Sequence, residues 1–166
     1  MNLVLIGYRG TGKSAVGRIL AKRLGRDLVS TDAEVVRRAN RPIPEIVKDH
    51  GWEYFRDLES RVCRDLASKD GLIIDTGGGA ILRPENVATL KANGVLIWLT
   101  AEVSTIAARI GGDTNRPSLT GTKSFIEEIE EVLKERVPKY SAAADHTIVT
   151  DGQSLTAVAE AILAKI

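Results

Sequence analysis

Eight residues near the start, Gly7-Tyr8-Arg9-Gly10-Thr11-Gly12-Lys13-Ser14, leave this chain few folds to adopt. They follow the apolar run Leu3-Val4-Leu5-Ile6 and open a helical pattern that runs from Lys13 to Leu24. All fixed positions of G-x-x-x-x-G-K-[ST] are filled, with a strand before and a helix after, which is the context a phosphate-binding loop requires. Glycine at 7, 10 and 12 permits a turn that a Cβ would obstruct, so successive backbone N–H groups can face one anion. The helix that starts at Lys13 adds the positive end of its dipole. Lys13 is then placed to reach the β- and γ-phosphates, and the Ser14 hydroxyl to hold Mg²⁺. Gly10, Thr11, Gly12, Lys13, Ser14 and Ala15 are the expected nucleotide contacts. A chance glycine-rich turn would not meet every fixed position and both flanks together, so a nucleoside triphosphate site is expected.

Five short apolar runs, at 2–6, 27–31, 72–76, 95–99 and 146–150, read as strands. The third and fourth are almost continuously apolar, as suits strands covered on both faces of a parallel sheet. Helical patterns lie between them, near 13–24, 32–38, 42–49, 51–67, 84–92, 102–110, 123–141 and 153–165. The alternation predicts a three-layer α/β/α sandwich around a five-stranded parallel sheet. At 166 residues, with no repeat or linker, one domain over 1–166 is expected. Two segments exceed what simple crossovers need. Residues 32–67 form a helical arm, and the polar stretch 111–123, with two glycines at its start, forms a lid. In the last helix, Leu155, Val158, Ala159 and Ile162 recur at core spacing. Glu127, Glu128, Glu130 and Glu131 read as a solvated helix face.

Composition narrows the partners. A net charge of +1 gives no broad field for nucleic acid or a membrane surface. A lone cysteine, Cys63, cannot close an internal disulfide and fits a reducing compartment as a packed thiol. His50 and His146 lack metal-ligand spacing. The chain begins directly with a strand pattern, so no signal peptide is expected, and no apolar run approaches the ~20 residues of a membrane span. The expectation is a soluble, cytoplasmic monomer.

A second set of residues bears on the acceptor: Asp32 at the end of strand two, Phe55-Arg56-Asp57-Leu58-Glu59 on the arm, Gly77-Gly78-Gly79 after strand three, Asn115-Arg116-Pro117 in the lid, and Arg136-Val137-Pro138-Lys139-Tyr140 on the long helix. Arginine offers a planar fork that meets a carboxylate with two hydrogen bonds. Three glycines let backbone N–H groups come close to a ligand. A carboxylate can accept from hydroxyls and take a proton. Together they describe a pocket for a small, hydroxylated anion.

With these motifs in this order, the chain resembles the shikimate kinases, P-loop kinases of small metabolites. That resemblance implies ATP-dependent phosphorylation of the shikimate 3-hydroxyl, with ATP and Mg²⁺. It implies that Asp32 binds ring hydroxyls and serves as base. It implies that Arg56 and Arg136 clasp the carboxylate, that Gly78 adds backbone contact, and that Arg116 closes onto the phosphates. By the same resemblance, Arg109 stacks on adenine with Gln153 nearby. Glu59, three residues beyond Arg56 on one helix face, is placed to orient that guanidinium. Lys13, Asp32 and Arg116 form the expected catalytic set. The alternatives are a gluconate kinase or other small-metabolite kinase, and a catalytically silent ATP-binding module of the same build.

The chain departs from the family pattern at Ser30, where the first Asp of D-x-D is usual, at Trp52, where an acid is common, and at Ala15, where Thr is common. Asp75 ends the strand beside the phosphate loop, where many P-loop enzymes keep a Mg²⁺ carboxylate. The expected metal residues are therefore Ser14 and Asp75.

Overall fold

A computed structural model describes residues 1–111 and 124–166. It contains the five-stranded parallel sheet that the alternation predicts, with the strands in the order β2-β3-β1-β4-β5. The strands are β1 (Asn2–Ile6), β2 (Leu28–Ser30), β3 (Ile73–Asp75), β4 (Gly94–Thr100) and β5 (His146–Val149). Successive side chains of a strand point to opposite faces, so an apolar run serves two cores. Val4, Ile6, Ile74 and Leu96 pack on one side, and Leu3, Leu5, Ile73, Ile97 and Leu99 on the other. This is why β1 and β3 can be buried at every residue.

Helices α1 (Lys13–Leu24) and α8 (Leu155–Leu163) cover the second face, with Val16, Leu20, Val158, Ala159 and Ile162 in its core. The first face is covered by α2 (Thr31–Ala39), α3 (Ile43–His50), α4 (Trp52–Ala67), α5 (Pro84–Ala92) and α7 (Phe125–Ala143). Helix α6 (Val103–Ile110) and α7 enclose a third cluster with Tyr8 at its centre. Among the described residues no helix is long and apolar enough to cross a membrane.

Three sequence expectations need correction. Asp32 is not at the end of a strand. The Ser30 Oγ accepts the Ala33 N–H at 3.2 Å and caps α2, so Asp32 lies in that helix's first turn. Leu155 is 46% exposed, because it opens α8 at the rim of a cleft instead of facing the sheet. Glu128 is buried, not solvated. The long helix also runs past its expected end to Ala143, with Pro138 inside it. The expected lid, with Arg116, lies outside the described residues apart from its first position, Gly111.

Candidate active site

β1 sits in the middle of the sheet, and the chain leaves its carboxyl end through the loop 7–12 into α1. Ligands in open parallel sheets bind beyond such strand ends. Gly10 and Gly12 adopt φ of 81° and 96°, a left-handed backbone that side-chain-bearing residues rarely take. The Thr11 Oγ1 donates to the Tyr8 carbonyl at 2.8 Å and braces the loop from within. Lys13 is buried, and its Nζ donates to the carbonyls of Gly7 at 2.7 Å and Tyr8 at 3.1 Å. Ser14 donates to the Asp75 Oδ2 at 2.5 Å. Asp75 is buried at the end of β3. Burial raises its carboxyl above the ordinary range; nearby Lys13 and the Ser14 hydrogen bond oppose this, and Asp32 reinforces it.

A cleft of 660 Å³ opens above the loop. It brings together Gly10, Gly12, Lys13, Ser14, Ala15, Asp32, Asp75 and Gly78. Arg9 and Arg18 also line it, and sequence reasoning passed over both. Their signals were present: Arg9 is a variable position of the loop, and Arg18 lies one helical turn beyond Ser14 on the same face of α1. A second cleft of 440 Å³ lies on the other side of the loop, lined by Thr11, Arg109, Thr150, Gln153 and Leu155. There the Arg109 Nη1 donates to the Gly10 carbonyl and to the Thr150 Oγ1, both at 3.2 Å.

Arg56 and Arg136 do not line the main cleft, but both border it through the glycine triplet. The local geometry explains two of the three missing side chains, at Gly77 and Gly79, and at Gly78 leaves room for ordinary contact. A Cβ on Gly77 would stand 2.6 Å from Asp32 Oδ1 and 2.9 Å from Glu59 Oε2. One on Gly78 would be 3.4 Å from Arg136 Nη1, and one on Gly79 would collide with the Arg56 guanidinium. Four charged groups from three helices thus converge on three consecutive backbone units. The Thr31 Oγ1 accepts the Gly77 N–H at 2.8 Å and holds one end of the triplet.

Arg56 is fixed on two sides. Its Nη1 donates to Glu59 Oε1 at 2.9 Å in a pair whose members are 11% and 0% exposed. Its guanidinium also lies 5.3 Å from the ring centres of Trp52 and Phe55. Cys63 is buried on the same helix, and burial pushes its thiol up to about 12, so it is an inert packing residue.

The family model described as "Shikimate kinase" matches residues 9–166. A shikimate kinase of Nitratidesulfovibrio vulgaris is 46% identical over 150 residues, which span 89% of this chain and 85% of its own. One of Pelotomaculum thermopropionicum is 44% identical over 162 residues, spanning 98% of this chain and 93% of its own. Among solved structures, a shikimate kinase from Acinetobacter baumannii in complex with shikimate matches with a TM-score of 0.93 at 36% identity, covering 98% of this chain and 90% of that one.

Proposed function

The chain belongs to the shikimate kinase family, and from that premise we propose that it transfers the γ-phosphoryl group of ATP to the 3-hydroxyl of shikimate. The observation that carries this is the convergence on the triplet. Asp32, Arg56 and Arg136 meet at Gly77, Gly78 and Gly79, beside a phosphate loop that shares its cleft with Asp32. An acceptor that is both a carboxylate and a polyol matches two guanidinium forks and one carboxylate.

Phosphoryl transfer asks a protein mainly to position groups and neutralise charge. The loop N–H groups of Gly10 to Ala15 and the Lys13 ammonium neutralise the triphosphate, with Arg116 contributing from the lid. Thr11, Arg109 and Gln153 border the second cleft, which takes the nucleoside. Arg56 and Arg136 clasp the shikimate carboxylate, Gly78 adds backbone contact, and Asp32 aligns the attacking hydroxyl and accepts its proton late in the transfer. Glu59 keeps the Arg56 fork aimed.

The Ser14 hydroxyl and the Asp75 carboxylate are hard oxygen donors side by side at the cleft floor, which fits Mg²⁺. Mg²⁺ is commonly held by one or two protein oxygens plus substrate phosphates, which these two groups would supply with ATP. Bound there, Mg²⁺ offsets phosphate charge.

On this reading the protein is a single-domain, monomeric, cytoplasmic enzyme on the route to chorismate and the aromatic amino acids. Coupled ADP release, with shikimate, gluconate or nucleoside monophosphates as acceptor, tests it. Release that requires shikimate is expected. Turnover with gluconate in its place, or nucleotide binding without release, would overturn the assignment.

A further inference from the structure

We infer that Tyr140 is a positioning residue of the acceptor site, acting through the Gly78 carbonyl. This rests on the shikimate kinase reading above and adds to it a group that touches no substrate. Tyr140 is fully buried, and its hydroxyl donates to the Gly78 carbonyl at 2.5 Å. Its ring stacks on Trp98 with centroids 5.7 Å apart and planes at 23°, so the hydroxyl has little freedom to wander. Burial raises that hydroxyl to about 12, with neighbouring Arg136 opposing the rise, so it keeps its proton and stays a donor.

The triplet needs such an anchor. Glycine peptides rotate at little steric cost, and each reorientation re-aims an N–H. The two preceding peptides are already fixed: Thr31 holds the Gly77 N–H of the first, and the Gly77 carbonyl of the second accepts the Ala80 N–H at 3.0 Å. The peptide after Gly78 is held through its carbonyl by Tyr140. The Gly78–Gly79 peptide is trans, so fixing that carbonyl also fixes the opposed N–H of Gly79. Gly77 and Gly78 both line the cleft with Asp32, and Gly78 is the one that lies next to Arg136. Arg136 and Tyr140 stand one turn apart on α7, so one helix supplies both a charge for the acceptor and the grip on the backbone beside it.

Tyr140→Phe keeps the ring and its stack and deletes only the donor. In steady-state assays it should raise the KM for shikimate about tenfold, the scale of one lost hydrogen bond of ordinary strength. The KM for ATP and kcat at saturating shikimate should stay within about twofold, since the phosphate loop is untouched. An unchanged shikimate KM in the folded variant, or a parallel rise in the KM for ATP, would overturn the assignment. Should Tyr140→Phe fail to fold, Thr31→Val removes the other anchor of the triplet. It should give the same acceptor-selective rise, and no rise would equally reject the inference. Wild-type turnover separates the two levels. If shikimate supports no ADP release at all, the functional reading falls and this one with it. Normal wild-type turnover with an unaltered variant removes only the anchor.

Discussion

The phosphate loop and the acceptor pocket lie side by side but are built on opposite plans. The loop is braced mainly by its own neighbours: Thr11 reaches Tyr8 three residues away, and Lys13 reaches Gly7 six away. Arg109 adds one distant bond, to the Gly10 carbonyl. The acceptor pocket is braced across the chain. Thr31 holds Gly77 over a separation of 46 residues, and Tyr140 holds Gly78 over 62. The loop presents mainly backbone N–H groups and one lysine, whereas the pocket presents side chains from α2, α4 and α7. Damage to the first should therefore fall on phosphoryl transfer, and damage to the second on acceptor capture.

Five substitutions can break or sharpen that division. Lys13→Ala should have the largest effect, a loss of about 10²–10³ in kcat, as for removal of one preorganised donor at developing charge. Shikimate affinity by calorimetry should hold; a kcat within a few-fold of wild type would take Lys13 out of the mechanism. Arg136→Ala should weaken shikimate binding about 10- to 100-fold by losing charge-assisted hydrogen bonds, with ADP affinity unchanged. Equal losses for both ligands would mean the two regions are not separable.

Asp75 sits between the plans, on the pocket's strand but bonded to the loop's Ser14. Asp75→Asn should raise the Mg²⁺ concentration for half-maximal activity about tenfold, the lower range for disturbed metal surroundings. Ser30→Ala should leave the Mg²⁺ requirement alone and cost about 1 kcal/mol of stability through loss of the α2 cap. Small, equal shifts in Mg²⁺ requirement would dismiss Asp75 as a metal residue.

The smallest effect belongs to the arm's outer face. Hydrogen bonds from Arg37 and Arg38 lower the Glu34 carboxyl from its ordinary 4.5 to about 2, against the opposing effect of burial. A depressed carboxyl contributes stability above its unfolded value and loses it as pH falls through the folded one. Glu34→Gln should therefore destabilise by at most about 1 kcal/mol near neutral pH, since water screens these pairs. In urea titrations the gap to wild type should close between pH 4.5 and 2. A gap that persists at pH 2 would show that Glu34 acts through packing.

The same division governs how much was legible in the sequence. The loop could be read directly because strand, turn and helix follow one another and the motif is contiguous. The sheet was legible because buried parallel strands leave near-continuous apolar runs such as Leu72–Asp75 and Val95–Leu99. Asp32, Arg56, Gly78 and Arg136 could be singled out through family motifs, but nothing in their spacing says that they meet. Asp32 was misplaced onto a strand end because a Ser cap and a strand terminus look alike without the Ala33 contact. Leu155 matched the core period of its helix yet stands at the cleft rim, since periodicity gives a face and not what the face meets.

By itself, then, the sequence determined the glycine-rich loop and the sandwich, because short-range sterics and hydrophobic periodicity act along the chain, and family motifs singled out the residues proposed for the acceptor. Only the tertiary structure decided that Asp32, Arg136 and Arg56 face successive glycines, that Ser14 and Asp75 touch, and that a tyrosine hydroxyl pins the middle glycine. Those outcomes depend on how α2, α4 and α7 pack against one sheet, and packing between distant segments leaves no periodic mark in the order of residues.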